Sequence, residues 1–255
     1  MYRLTFDLHT HTPYSHGKST VMQNADAAER RGLHTLGISD HGPGHKFFGI
    51  NLREVSLMRR DIEEARRAHP GLEILLGVEA NIINPSGNLD VSAEQQKLFD
   101  YILAGYHYGI FGEEPVKGIG TIVGGYIHNL TGRSTVRAKN YNTDLVVAAL
   151  CSNRIKMLTH PGDKAAFDID VISRACENTG TWMEINCHHN GLSVEGIRTA
   201  AKYDVTFAIS SDAHLASNVG VPDAAIKRAQ EAGLDLRRIV NLEDDQDSSS
   251  LRSSE

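Results

Sequence analysis

Short apolar, β-branched runs alternate along the chain with longer amphipathic stretches. The short runs fall at 4–9, 35–40, 73–79, 100–107, 155–160, 181–186 and 206–212, and their length and residue types predict strands. Between them, segments 25–32, 52–69, 144–152, 168–179, 193–203 and 222–233 carry Ala, Glu and Arg with apolar residues at helical spacing. Regular alternation of strand and helix implies parallel pairing, because parallel neighbours need a crossover connection. Seven such units predict an α/β fold, a (β/α)7 barrel formed by one domain over 1–242, with an open doubly wound sheet as the alternative. The final run 243–255, EDDQDSSSLRSSE, is polar and lacks apolar periodicity, so it is expected to be a disordered tail. The connection 108–143 is too long for a plain crossover. It is rich in glycine and carries Lys117, Arg133, Arg137 and Lys139, which points to a functional loop.

Composition narrows the picture only in places. A chain of 255 residues fits a single barrel and can bury a large core without disulfide or metal support. A net charge of −6 disfavours a general nucleic-acid or membrane-surface binder, while leaving a nucleotide open as a ligand. No run approaches the length of a membrane span, and the opening MYRLTFDLHTHT has no apolar leader core. Three widely spaced cysteines, Cys151, Cys176 and Cys187, read as free thiols, and with them a reducing, cytoplasmic setting is expected.

The thirteen histidines change the picture most. The strands end in FDLHTHT, ISDHG, GVEAN, GYHYG, LTHPGD, EINCHH and SSDAH. Each places His, Asp, Glu or Asn at or just beyond its C-terminal end, and in a parallel barrel those ends open on one face. His9 and His11, like Asp212 and His214, are two residues apart, so in extended chain their side chains share a face. A buried cluster of this many ionisable groups is costly unless the groups pair or bind cations. Mixed imidazole and carboxylate donors without cysteine suit zinc, manganese or iron in a working site rather than a structural zinc.

The ordered set HTH, DH, Glu, His, HPG and DAH resembles the PHP (polymerase and histidinol phosphatase) superfamily, and the likeness runs over nearly the whole chain. It is nearest to the small stand-alone bacterial phosphatases with a trinuclear metal site. The resemblance implies a distorted (β/α)7 barrel and two or three divalent ions, zinc foremost, with manganese or iron as alternatives. Carried over by motif, His9 and His11 would bind a first ion with Glu79 and Asp212. Glu79 would bridge to a second ion held by His107 and His160. A third would take His41, His214 and His16, with His45 as the alternative to His16. Asp40 would orient a ligand from behind.

The expected activity is hydrolysis of small phosphomonoesters by a metal-bound hydroxide, with Glu79, Asp212 and His214 as the catalytic groups. Arg133 and Arg137 are candidate phosphate clamps, since guanidinium pairs with phosphate in two-pronged fashion. His188 and His189 are candidates for substrate contact, while His34, His69, His128, Tyr106 and Tyr108 read as structural. Competing expectations are a histidinol-phosphate phosphatase, a nuclease or phosphodiesterase, a hydrolase of C–N or C–O bonds, and a non-catalytic metal-binding module. No strand ends in the lysine that the C–N reading would favour. The ligand set is complete, which the non-catalytic reading would not require.

Overall fold

The computed structural model describes residues 2–107 and 134–244. Seven parallel strands make its sheet: β2 (Phe6–Asp7), β3 (Thr35–Ile38), β4 (Glu73–Asn81), β5 (Tyr101–Gly105), β6 (Met157–Leu158), β7 (Trp182–Asn186) and β8 (Phe207–Ser210). Their spatial order is their chain order, so every crossover is to the adjacent position. The sheet then curls back on itself. Thr10 and Ala213 form a parallel bridge beyond the ends of β2 and β8, and His11 N–H donates to Ala213 O at 2.9 Å. The result is a nearly closed barrel. A sheet buried on both faces needs apolar residues on both, and β4 reads EILLGVEAN with everything from Leu76 onward buried.

The period of two sorts residues between barrel interior and helical shell. Val78, Ala80, Ile102, Ala104, Met183, Ile185, Phe207 and Ile209 join the large core under the helices. The intervening positions face inward, where Leu103, Met157 and Ala208 form a separate small cluster with Tyr101 and Trp182. Gly37 and Gly77 make room for the Tyr101 ring, since a Cβ on Gly77 would stand 2.3 Å from Tyr101 Cζ and one on Gly37 2.0 Å from its hydroxyl. That hydroxyl donates to Leu8 O at 2.7 Å. Further along the same inward rows lie Glu79, Asn81, Thr159, Glu184 and Asn186. The barrel thus grades from an apolar floor to an ionisable mouth.

Helices α1 (Val21–Arg30), α2 (Val55–Ala68), α3 (Ala93–Gln96), α4 (Val136–Ser152), α5 (Ile169–Thr179), α6 (Val194–Ala200) and α7 (Asp223–Ala232) fill the connections. Two start earlier than periodicity predicts. α1 begins at Val21 rather than residue 25, because Thr20 and Gln23 form a reciprocal capping box. α4 begins at Val136 on a Thr135 cap, so the last eight residues of the expected 108–143 loop are helical. An antiparallel ribbon, β1 (Tyr2–Leu4) with β9 (Leu242–Asp244), was not expected either. Arg3 Nη2 meets Glu243 Oε2 at 2.7 Å across it, so pairing reaches two residues into the stretch read as tail. Residues 245–255 lie outside those described. The three cysteines are unpaired, and among the described residues no helix is long and apolar enough to cross a membrane.

Candidate metal centre

His9 and His11 follow β2 in extended chain, fully buried, on the segment whose hydrogen bonds close the barrel. Buried carboxylates fix this segment from behind. Asp7 accepts from His9 N at 3.3 Å, Ser211 N at 3.2 Å, Ser211 Oγ at 2.5 Å and Gly220 N at 2.9 Å, tying the first strand to the last. Asp40 accepts from Thr12 N at 2.7 Å, Thr12 Oγ1 at 2.5 Å and Ser15 Oγ at 2.5 Å, and so shapes the turn that carries His16. Two residues of the mouth have left-handed backbone, His160 at φ 28° and Asp212 at φ 52°. Such conformations cost a non-glycine residue about 1–3 kcal/mol and persist where surrounding structure imposes them.

Glu79 lies at the centre. Its Oε1 stands 3.3 Å from His9 Nε2, 3.2 Å from His107 Nε2 and 2.9 Å from His160 Nε2. Its Oε2 stands 2.8 Å from His41 Nδ1 and 3.8 Å from His11 Nε2. Gly105 leaves the space for this, since a Cβ there would meet His107 Cε1 at 2.7 Å and Glu79 Oε1 at 3.2 Å. Asp212 Oδ1 is 3.1 Å from His11 Nε2, 3.7 Å from His9 Nε2 and 3.6 Å from His214 Nδ1. His214 Nε2 lies 2.7 Å from His16 Nε2, which brings His16, and not His45, against the third group of ligands.

The donor set fits divalent cations. Donors on one tetrahedral ion at about 2.0–2.2 Å stand roughly 3.3–3.6 Å apart, close to the separations around Glu79 and Asp212. His9 Nε2, His41 Nδ1 and Glu79 Oε2 are buried and close to partners, yet none makes a well-aligned hydrogen bond. Their lone pairs converge on shared space rather than on each other. Four triads bring their donor atoms together: His9, His11 and Asp212; His9, Glu79 and His160; His41, Glu79 and His107; His11, His41 and His214. His41 therefore sits beside Glu79 as well as beside His214.

Electrostatics keeps the donors in the right form. Burial would raise the carboxyl of Glu79, but His9, His107 and His41 outweigh it and hold it well below the ordinary range. Burial opposes Asp212 ionisation likewise, and His9 and His11 overcome it. Burial, with positive neighbours, keeps His11 well below its usual value, His107 at about 3 and His16 at about 4. These rings are neutral and offer lone pairs. His9 and His160 are the exceptions: burial would lower both, but Glu79, Asp212 and Glu184 raise His9 well above normal and the same three carboxylates raise His160. A site that draws a proton onto a buried imidazole is one that attracts cations.

The mouth opens into a cavity of about 700 Å³ bordered by His16, His41, His107, His160, Asp212 and His214. His9, His11 and Glu79 lie behind them with no solvent exposure. His188 and His189 reach the cavity, as does Lys164, which sequence reading passed over. Arg137 is exposed on the first turn of α4 and does not border the cavity, and Arg133 lies outside the described residues, as do His128 and Tyr108. His69 joins α1 and α2, with Nε2 3.0 Å from Asp26 and Nδ1 2.9 Å from Glu29. Tyr106 is buried and its ring packs edge-on against Phe167.

Glu184 was also missed. It is fully buried, its Oε1 accepts from His9 Nδ1 at 2.7 Å, and its Oε2 accepts from His160 N at 2.5 Å and Asn186 Nδ2 at 2.9 Å. Asn81 does the same for His107, taking Nδ1 at 2.7 Å. These bonds set which ring nitrogen faces the centre. The signal was present: an acid in the buried strand WMEIN, two residues from Asn186 on the inward row.

The PHP domain profile matches residues 7–188, which spans six of the seven barrel strands. A probable phosphatase of Thermoanaerobacter sp. (strain X514) is 29% identical over 256 residues, covering 94% of this chain and 91% of the relative. The probable phosphatase YcdX of Escherichia fergusonii is 29% identical over 251 residues, covering 92% and 89%. A histidinol phosphate phosphatase from Lactococcus lactis subsp. lactis Il1403, solved with zinc, L-histidinol and phosphate, superposes with a TM-score of 0.61. It covers 90% of this chain and 94% of that one at 14% identity, a likeness of fold. With the profile matching most of the chain and the ligand constellation assembled at the barrel mouth, the chain belongs to the PHP domain family.

Proposed function

We propose that this PHP-domain protein, a metal-dependent phosphoesterase, hydrolyses small phosphomonoesters at a centre of two or three divalent ions held by His9, His11, His16, His41, Glu79, His107, His160, Asp212 and His214. The observation that carries this reading is Glu79, an ionised, fully buried carboxylate whose two oxygens face five imidazoles from four separate segments. Divalent ions, when bound, neutralise phosphoryl oxygens and lower the pKa of coordinated water to about 7. Zinc, manganese and iron all suit the donors.

The chain's own residues have distinct tasks. Glu184 and Asn81 orient the rings of His9 and His107. Asp212, ionised at the cavity wall, is placed to take a proton from the attacking water. The proton can return from Asp212 to the departing alkoxide, while His214, 28% exposed on the same strand end, borders the cavity beside it. His188, exposed beside the cavity, can meet substrate oxygens. A cavity of this volume suits a small ester rather than a polymer. The test is Glu79→Ala and His11→Ala on a generic phosphomonoester. Both variants are expected to lose turnover while keeping wild-type circular dichroism; wild-type turnover in either would refute the assignment.

A further inference from the structure

The cavity has two unlike walls among the described residues. On one side, the Phe48 ring lies 4.6 Å from His16 and stacks on His45 at 5.0 Å, with Phe47 6.3 Å beyond. Phe47 is 74% exposed, Phe48 42% and neighbouring Leu215 44%, and all three border the cavity. The other side is polar. His189 lies against His160 at 5.3 Å and sits between Asp163 Oδ1 at 3.2 Å and Asp212 Oδ2 at 3.4 Å, while Lys164 Nζ is 2.5 Å from Asp163.

The aromatic wall is a built feature. Gly44 N–H donates to the half-buried carboxylate of Asp90 at 2.8 Å, and Asp90 also receives Asn81, the residue that holds His107. Ile50 N–H returns to His41 O at 3.0 Å, and Phe48 N–H donates to His45 Nδ1 at 3.2 Å. A Cβ on Gly42 or Gly44 would stand 2.4 or 2.7 Å from Asp90. The segment is thus clamped to the metal ligands at both ends, while the Phe47 ring stays largely in water and Phe48 partly so. A ring held that way beside a polar site is a surface for a ligand to cover.

An ester that places its phosphoryl group among Glu79, Asp212 and His160 must project its alcohol portion into the mouth, between the two walls. Resting on the phosphomonoesterase reading, we propose that Phe47 and Phe48 form a stacking platform for a planar ring in that alcohol portion. The substrate class is then phosphomonoesters of alcohols bearing an apolar aromatic ring.

Matched esters test this. 2-Phenylethyl phosphate and ethyl phosphate are both primary alkyl esters, so a difference between them reports the ring rather than the leaving group. Their phosphonate counterparts give affinities by calorimetry on the metal-loaded protein without turnover. The wild type is expected to bind the phenyl phosphonate about tenfold more tightly. Phe47→Ala should abolish most of that preference and leave ethyl phosphate turnover unchanged. Equal wild-type affinities, or an undiminished preference in Phe47→Ala, would overturn the platform even with both esters hydrolysed. A persisting preference without hydrolysis of either ester would support the platform and overturn the phosphatase reading instead.

Discussion

Replacing Glu184 by glutamine tests whether the carboxylate beneath the ligands sets their chemistry. Its two oxygens serve three donors: the His9 ring, the His160 backbone and the Asn186 amide. A glutamine has the same shape but one acceptor oxygen. If that oxygen takes the Oε2 position, the new NH2 opposes the His9 Nδ1–H. His9 must then move its proton to Nε2, which removes the lone pair aimed at Glu79 and Asp212. If the amide turns over, His160 N and Asn186 lose their acceptor and the backbone that places His160 loosens. Either way at least one hydrogen bond to an ionised acceptor is lost, worth about 1.5–3 kcal/mol. With about 1.4 kcal/mol per decade, metal affinity should fall about 10–100-fold, the range typical of groups that orient metal ligands. Affinity is read by competition with a chromophoric chelator, turnover by initial rates, and fold by circular dichroism. The expected result is a parallel fall in affinity and kcat/KM with unchanged secondary structure. Glu184→Gln with wild-type affinity and turnover would refute the ligand-orienting role, and a loss confined to thermal stability would reduce Glu184 to a packing residue.

Two further outcomes follow from other parts of the molecule. Arg137→Ala should leave KM for a small phosphomonoester within about twofold of wild type, since the side chain is exposed on α4 away from the cavity; a tenfold rise in a steady-state assay would restore its clamp role. Asp100 accepts Arg59 Nη1 at 2.8 Å, Nη2 at 2.9 Å and Leu76 N at 2.8 Å. Burial opposes its ionisation, but Arg59 and the Leu76 amide hold its carboxyl below the ordinary value. A lowered folded-state pKa gives stability that is present above about pH 4 and lost as pH falls. Urea midpoints should therefore drop less between pH 4 and pH 2 in Asp100→Asn than in wild type, and parallel curves would contradict the linkage.

The barrel and the clustering of the candidate ligands were legible for one reason: a strand buried on both faces must be an apolar run, and a charged or imidazole residue at its end has nowhere to go but the mouth. All seven runs became strands, and the nine ligand candidates meet in one site. What was not legible depended on partners distant in sequence. Glu184 sits inside a run, where an acid reads as an interruption until His9, 175 residues away, is seen to need it. The start of α4 carries Arg137, Lys139 and Asn140, which mask helical periodicity, and only the Thr135 cap marks it. The β1–β9 ribbon joins the two ends of the chain through Arg3 and Glu243, a pairing that polar composition hides. Arg137 suits phosphate by its chemistry, but chemistry alone does not place a side chain, and among the described residues it does not border the cavity.

The central claim is that the strand-end residues hold a multinuclear cation centre that does the hydrolysis. Titrating metal-stripped protein with a divalent ion, while following release of inorganic phosphate from a phosphomonoester, tests it directly. The account predicts negligible release at the start and a rise that saturates at two or three ions per chain. Full activity in the stripped protein, or saturation below one ion per chain, would contradict it.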